Sequence, residues 1–218
     1  MDNEETLATD LAEHMGSALS TDIQEFQIEA EDIDIPRLNV VQKTSQMDYG
    51  VGSLVLDKSH EILPADTQGE CIVLRAQKMW REDIPFDEKE MPQIATDRAG
   101  MEDIKSESDW PIIEFAEIAL LFPQPADSED TDAYPYPIGD TNYALGKLNV
   151  AKDAYRKTYK ALATFAAFNR GLPLHSRIWH FESQVMSRGK YSWYIPTLSV
   201  TKEPTPEPVV EFANMFQG

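Results

Sequence analysis

The sequence predicts a mainly β domain: a five-stranded barrel with one helix between its third and fourth core strands, long acidic insertions and flexible acidic termini. Three observations carry this expectation. Runs rich in β-branched and aromatic residues recur at 37–42, 71–81, 111–122, 175–186 and 190–201. Residues 149–169 lack Pro and Gly, are rich in Ala, Lys and Arg, and are followed by Arg170-Gly171, which reads as a helix with a glycine stop. The intervening 82–110 and 127–140 stretches are acidic, polar and punctuated by Pro and Gly.

Size and composition set the frame. A chain of 218 residues with 42% apolar and 10% aromatic content suffices for one substantial domain with appendages. A single cysteine, Cys71, excludes an internal disulfide framework and a Cys-based zinc site, and fits a reducing compartment. The acidic start Met1-Asp2-Asn3-Glu4-Glu5 is unlike the basic head of a signal peptide, and no apolar run approaches membrane-spanning length. The expectation is a soluble cytoplasmic protein with no membrane partner, divided into an acidic arm (1–34), a folded domain (35–202) and a Pro-rich acidic and aromatic tail (203–218).

Taken in order, the arm carries Leu7, Leu11, Met15 and Leu19 at four-residue spacing, a stripe suited to a short amphipathic helix that docks on a partner or on its own domain. Short extended pieces at 53–56 and 61–63 follow the first strand. In the 71–81 strand, Arg75, Gln77, Met79 and Arg81 share one face, and Leu74, Ala76, Lys78 and Trp80 share the other. The 82–110 stretch reads as a long excursion from the sheet, and Tyr134-Pro135-Tyr136-Pro137 should be extended rather than helical. Ser187-Arg188-Gly189 joins the last two strands as a hairpin turn. The tail should be a stiff Pro-rich spacer whose Phe212, Met215 and Phe216 share a face if the tip becomes helical on a partner; packing of the tail on the domain is the other reading.

Charge is segregated. The whole chain has formal charge −19, yet residues 147–202 hold ten of its nineteen basic residues and only Asp153 and Glu182 as acids. Polyanion binding depends on potential within about 10 Å at physiological salt, so an acidic total does not exclude nucleic acid. Lys152, Arg156 and Lys160 stand four apart on the predicted helix, and aromatic residues are interleaved with cations throughout the segment. Cations that track phosphates beside rings that stack on bases are the chemistry of single-strand binding. The candidate nucleic-acid contacts are Arg75, Lys78, Lys152, Arg156, Lys160, Arg177, Arg188 and Lys190 for phosphate, with stacking drawn from Trp80, Trp179, Phe181, Tyr191 and Trp193. Strand aromatics also fill cores, and sequence alone does not say which face is wet.

The order of strands around one helix is that of an OB barrel. Ile35-Pro36-Arg37-Leu38-Asn39-Val40-Val41-Gln42, Gly52-Ser53-Leu54, the Lys- and Tyr-bearing helix, Arg170-Gly171-Leu172-Pro173-Leu174-His175-Ser176-Arg177-Ile178-Trp179 and Gly189-Lys190-Tyr191-Ser192-Trp193 together resemble phage-encoded single-stranded DNA-binding proteins of the OB-fold replication and recombination type. The resemblance covers roughly residues 35–202 and implies protection of transient single strands, with a C-terminal acidic, aromatic tail that recruits replication or recombination proteins. Some members carry a cysteine cluster in the middle insertion. This chain has none there, so no zinc is implied.

No catalytic constellation accompanies these features. His14, His60, His175 and His180 lack metal-site spacing, and Gly50-Val51-Gly52 lacks the glycines and lysine of a phosphate loop. The expectation is a non-enzymatic, cofactor-free, sequence-tolerant binder of single-stranded DNA, with a homodimer as an open possibility. The alternative is an acidic DNA mimic or adaptor that docks on a host DNA-binding protein. A combined version has the acidic arm covering the basic groove until DNA displaces it.

Overall fold

The computed structural model describes residues 34–85 and 87–214; the acidic arm and its apolar stripe, Met215 and Phe216 lie outside the described residues. The fold is mainly β, a sheet curled into an open half-barrel. Among the described residues ten strands form it rather than five: β1 (Arg37–Val40), β2 (Leu54–Leu56), β3 (His60–Leu63), β4 (Gln68–Glu82), β5 (Ile94–Ala95), β6 (Ile112–Pro123), β7 (Tyr136–Ile138), β8 (Thr141–Ala151), β9 (Arg177–Arg188) and β10 (Tyr191–Pro204). The main path runs β10-β9-β4-β6-β8-β1-β2-β3, with β5 and β7 as side pairings.

Strand β4 is the spine. It pairs with β9 at Gln68–Cys71 and with β6 from Ile72 to Glu82, and a register shift between Val73 and Arg75 bends it between the two. One face of the sheet carries the core: Ala116, Ile118, Leu120 and Phe122 of β6 and Ala144, Leu148 and Val150 of β8 join Trp179, Phe181 and Leu198 in one cluster. Gly146 belongs to that face of β8. A Cβ there would sit 2.6 Å from Leu38 and 2.7 Å from Leu56, so only glycine lets β1 and β2 approach β8 so closely.

Strand β8 was not expected. Its alternation of Ala144, Gly146, Leu148 and Val150 inward is diluted by glycine and by small or polar residues, and the helix expected from Asn149 begins instead at Lys152. That helix, α2, is a turn at Lys152–Ala154, a π-helical segment Tyr155–Tyr159 and an α-helical segment Lys160–Phe168. The acidic excursion is not structureless. It contains β5 and a preceding-cap helix, α1 (Arg98–Glu107), whose Asp97 carboxylate accepts the Gly100 N–H at 2.8 Å.

The half-barrel is stitched across its seam by side chains. The Gln42 amide donates to the Tyr194 carbonyl at 2.8 Å and accepts from the Tyr194 N–H at 2.9 Å, reproducing a ladder pair between the end of β1 and the edge of β10. The Thr158 hydroxyl of α2 donates to the Pro196 carbonyl at 2.5 Å in a buried position. Beyond β10, α3 (Glu207–Asn214) packs back on the domain with Val209 and Ala213 buried. The 203–214 stretch is therefore an ordered strand end and docked helix, not a free spacer, because its apolar residues find cover on the domain.

Candidate nucleic-acid interface

Two adjoining clefts lie side by side over the start of β6. The first, of about 470 Å³, is lined by Ile112, Ile113 and Glu114 of β6, Lys152, Asp153, Tyr155 and Arg156 of α2, and Arg188 at the β9–β10 hairpin. The second, of about 560 Å³, shares Ile112 and Glu114 and continues to Trp80 of β4 and to Met101, Lys105, Asp109 and Trp110 of the 83–111 connection. The helix and the hairpin thus border one groove, with two indoles at its other end.

Local structure explains how these side chains arrive there. Lys152 takes a left-handed backbone, φ +54°, at the corner where β8 turns into α2, a costly conformation for a residue with a Cβ. The π-helical segment then brings Tyr155 and Tyr159 into a parallel stack, ring centroids 5.0 Å and planes 12° apart. The cations of the stripe part company here: Lys152 and Arg156 line the groove, while Lys160 is exposed and is not among its lining residues.

Trp110 is held by a short relay. The Ser108 hydroxyl accepts the Trp110 N–H at 3.0 Å, and Glu82, 6% exposed, accepts the Gln93 N–H at 2.8 Å. The Ser108 hydroxyl and then that N–H hold the Glu82 carboxyl below the usual carboxylate range. The Trp110 indole donates to Glu90 at 3.2 Å. Trp80 receives the Lys78 ammonium 4.9 Å from its ring centroid.

The groove also carries anions. Lys78 pairs with Glu114 at 2.5 Å, Lys152 with Asp83 at 2.9 Å and Arg156 with Asp153 at 3.9 Å. The Glu114 contact holds the Lys78 ammonium above its ordinary range. Burial pushes the Tyr155 phenol up. Among the described residues, Arg188 makes no ion pair.

Of the residues expected from sequence, Lys78, Trp80, Lys152, Arg156 and Arg188 come together here. Trp179 and Phe181 do not, and are corrected: each is 1% exposed, Trp179 edge-on to Phe165 at 5.3 Å and Phe181 edge-on to Phe122 at 5.7 Å. They point along β9 into the core, and neither can stack on a base. Arg75 faces away from Lys78 across the sheet, as strand alternation requires, so the two cannot line one groove. Arg177 sits at the far end of β9 from Arg188 and donates to the Lys202 carbonyl at 3.1 Å. Lys190 and Tyr191 occupy the hairpin tip, with the ammonium 5.4 Å from a ring that is 66% exposed; Trp193 is half-buried nearby on the same hairpin. Phe212 packs 6.4 Å from Tyr136, which takes it away from a free partner-binding tip.

Sequence reasoning missed Trp110, Lys105 and the apolar floor of Ile112 and Ile113. The Asp109-Trp110-Pro111 step, a large aromatic inside an acidic stretch immediately before a strand, was the available signal. Among the described residues no group of three or more His, Cys, Asp or Glu side chains could hold a metal ion, and no helix is long and apolar enough to cross a membrane. Comparison of the chain with protein-family models, with curated proteins and with solved structures gives no match.

Proposed function

We propose that the chain is a non-enzymatic OB-type protein that binds single-stranded DNA, without strong sequence preference, in replication, recombination or repair. The observation that carries this reading is where the groove lies. Strands β10-β9-β4-β6-β8 are five neighbours, β4, β6 and β8 form a meander, and α2 connects β8 to β9. OB folds bind oligonucleotides over their second and third strands, between the loop joining strands one and two and the loop joining strands four and five. In this chain those positions correspond to β6 and β8, the 83–111 connection and the β9–β10 turn; β6, the connection and Arg188 at the turn line the two clefts, and in place of β8 itself the start of α2 that follows it supplies Lys152, Asp153, Tyr155 and Arg156.

Within this reading, Arg188, Arg156 and Lys152 contact phosphates, Trp80 and Trp110 offer ring faces to bases, and Lys190 and Tyr191 extend the path at the hairpin tip. Recruitment of replication or recombination proteins then falls to Met215 and Phe216, since Phe212 is engaged with Tyr136. Fluorescence anisotropy with a labelled oligo-dT tests the reading. The wild-type chain is expected to bind with an affinity that falls steeply with salt, and a K152A/R156A/R188A variant with an unchanged melting temperature is expected to lose at least about tenfold, as removal of several phosphate contacts requires. No retention of oligo-dT by the wild-type chain at low salt, with salt-sensitive capture of a basic DNA-binding protein instead, would favour the acidic mimic or adaptor.

A further inference from the structure

The groove differs from a plain cationic channel in one respect: most of its cations already hold an anion. Lys78 has Glu114, Lys152 has Asp83 and Arg156 has Asp153, and at the other end Lys105 has Glu102 at 3.9 Å. These carboxylates come from four separate places, the start of the 83–111 connection, α1, the start of β6 and the first turn of α2. The first cleft contains three cations and two carboxylates, so its lining is barely positive. An incoming phosphate must displace a carboxylate from each paired ammonium or guanidinium and then remain beside it. Resting on the reading that the groove binds nucleic acid, we infer that Asp83, Glu114 and Asp153 are specificity-determining residues: they stand where phosphates would, mute the cations, and reserve the groove for strands whose bases can stack.

Duplex and single-stranded DNA differ in what they offer such a groove. Duplex DNA offers a protein of this kind phosphates at high density and hides its base faces, so its non-specific binding is almost wholly electrostatic. A single strand offers fewer phosphates per length but adds stacking, which depends little on local charge. Halving the electrostatic gain therefore costs the duplex more than the single strand. Trp80 and Trp110 supply the compensating surface, and both line the cleft that adjoins the muted cations. Arg188, which has no carboxylate partner among the described residues, is left as the initial phosphate contact.

The sign of the effect separates this role from a merely positioning one. If Asp83 served only to hold Lys152 in place, D83N would weaken binding; if it competes with phosphate, D83N strengthens it. The experiment measures oligo-dT and a duplex of equal length on the full chain, for wild type, D83N, D153N, E114Q and the triple amide variant, across a salt series. The expected gain for the single strand is about two- to fivefold per carboxylate, the range set by exposed ion pairs. The slope of log affinity against log salt should steepen by up to about 0.7 per cation released for the single strand. Duplex affinity should rise by a larger factor, so the preference for single strands falls. Weaker or unchanged oligo-dT binding by amide variants that melt like wild type overturns the inference and leaves the binding reading intact. Binding of neither ligand by any variant overturns both.

Discussion

Trp80 and Trp179 are two indoles on strands of one sheet with opposite environments. Trp179 is fully buried, its N–H donating to the Leu174 carbonyl at 2.9 Å, whereas Trp80 is half-buried at the mouth of the groove. Trp179→Ala should therefore cost about 3–5 kcal/mol of stability, the usual range for large aromatic truncation in a core, and show as a lowered melting temperature. Trp80→Ala should leave melting nearly unchanged and weaken oligo-dT roughly tenfold, since stacking is worth about 1–3 kcal/mol per base. Glu82 makes a prediction of its own. Its carboxyl is depressed in the folded state below the ordinary 4.5, so its stabilising effect is complete above that value and is lost as pH falls through the lower folded value. Acid titration followed by tryptophan emission should report loosening of the Ser108–Trp110 relay in that window, and Glu82→Gln should abolish this step while already lacking its stabilisation at neutral pH.

At the scale of elements, the seam depends on one side chain imitating backbone. Gln42 makes both halves of a ladder pair with Tyr194, and the Tyr194 ring lies over Gly52, where a Cβ would come within 2.8 Å. Gln42→Ala removes both of these bonds and a third, from the Gln42 amide to the Val40 carbonyl at 3.2 Å, and should cost about 1–3 kcal/mol, with hydrogen exchange quickening at the β1 and β10 edges before the rest of the sheet. Elements also show what was legible. The 71–81, 111–122, 175–186 and 190–201 strands and the hairpin turn could be read because their apolar and aromatic residues alternate or run continuously. Strand β8 could not, because its inward positions include Ala144 and Gly146, chosen for close approach rather than for strand propensity. The even cation stripe of α2 was legible as sequence but misleading as geometry, since Lys152 stands at a left-handed corner before the helix, which residue spacing does not reveal, and Lys160 does not line the groove.

For the whole molecule, charge segregation led to the region where the groove forms and overstated how cationic that groove is. Summing Lys and Arg over 147–202 located Lys152, Arg156 and Arg188, which do converge, but it could not see that Asp83 and Glu114, distant in sequence, fold in among them. Partners so remote are set by β4–β6 pairing, which no local pattern encodes. The same topology sets the central claim, that the connection after β4 and the β9–β10 turn flank a path for a single strand across β6. Tryptophan fluorescence during titration with oligo-dT tests this most directly. Emission from Trp80 and Trp110 should be quenched on binding, with the quench retained in Trp179→Phe and largely lost in a Trp80→Phe/Trp110→Phe variant. Saturable binding with emission unchanged in the wild-type chain would contradict the account, because the strand would then lie somewhere other than this groove.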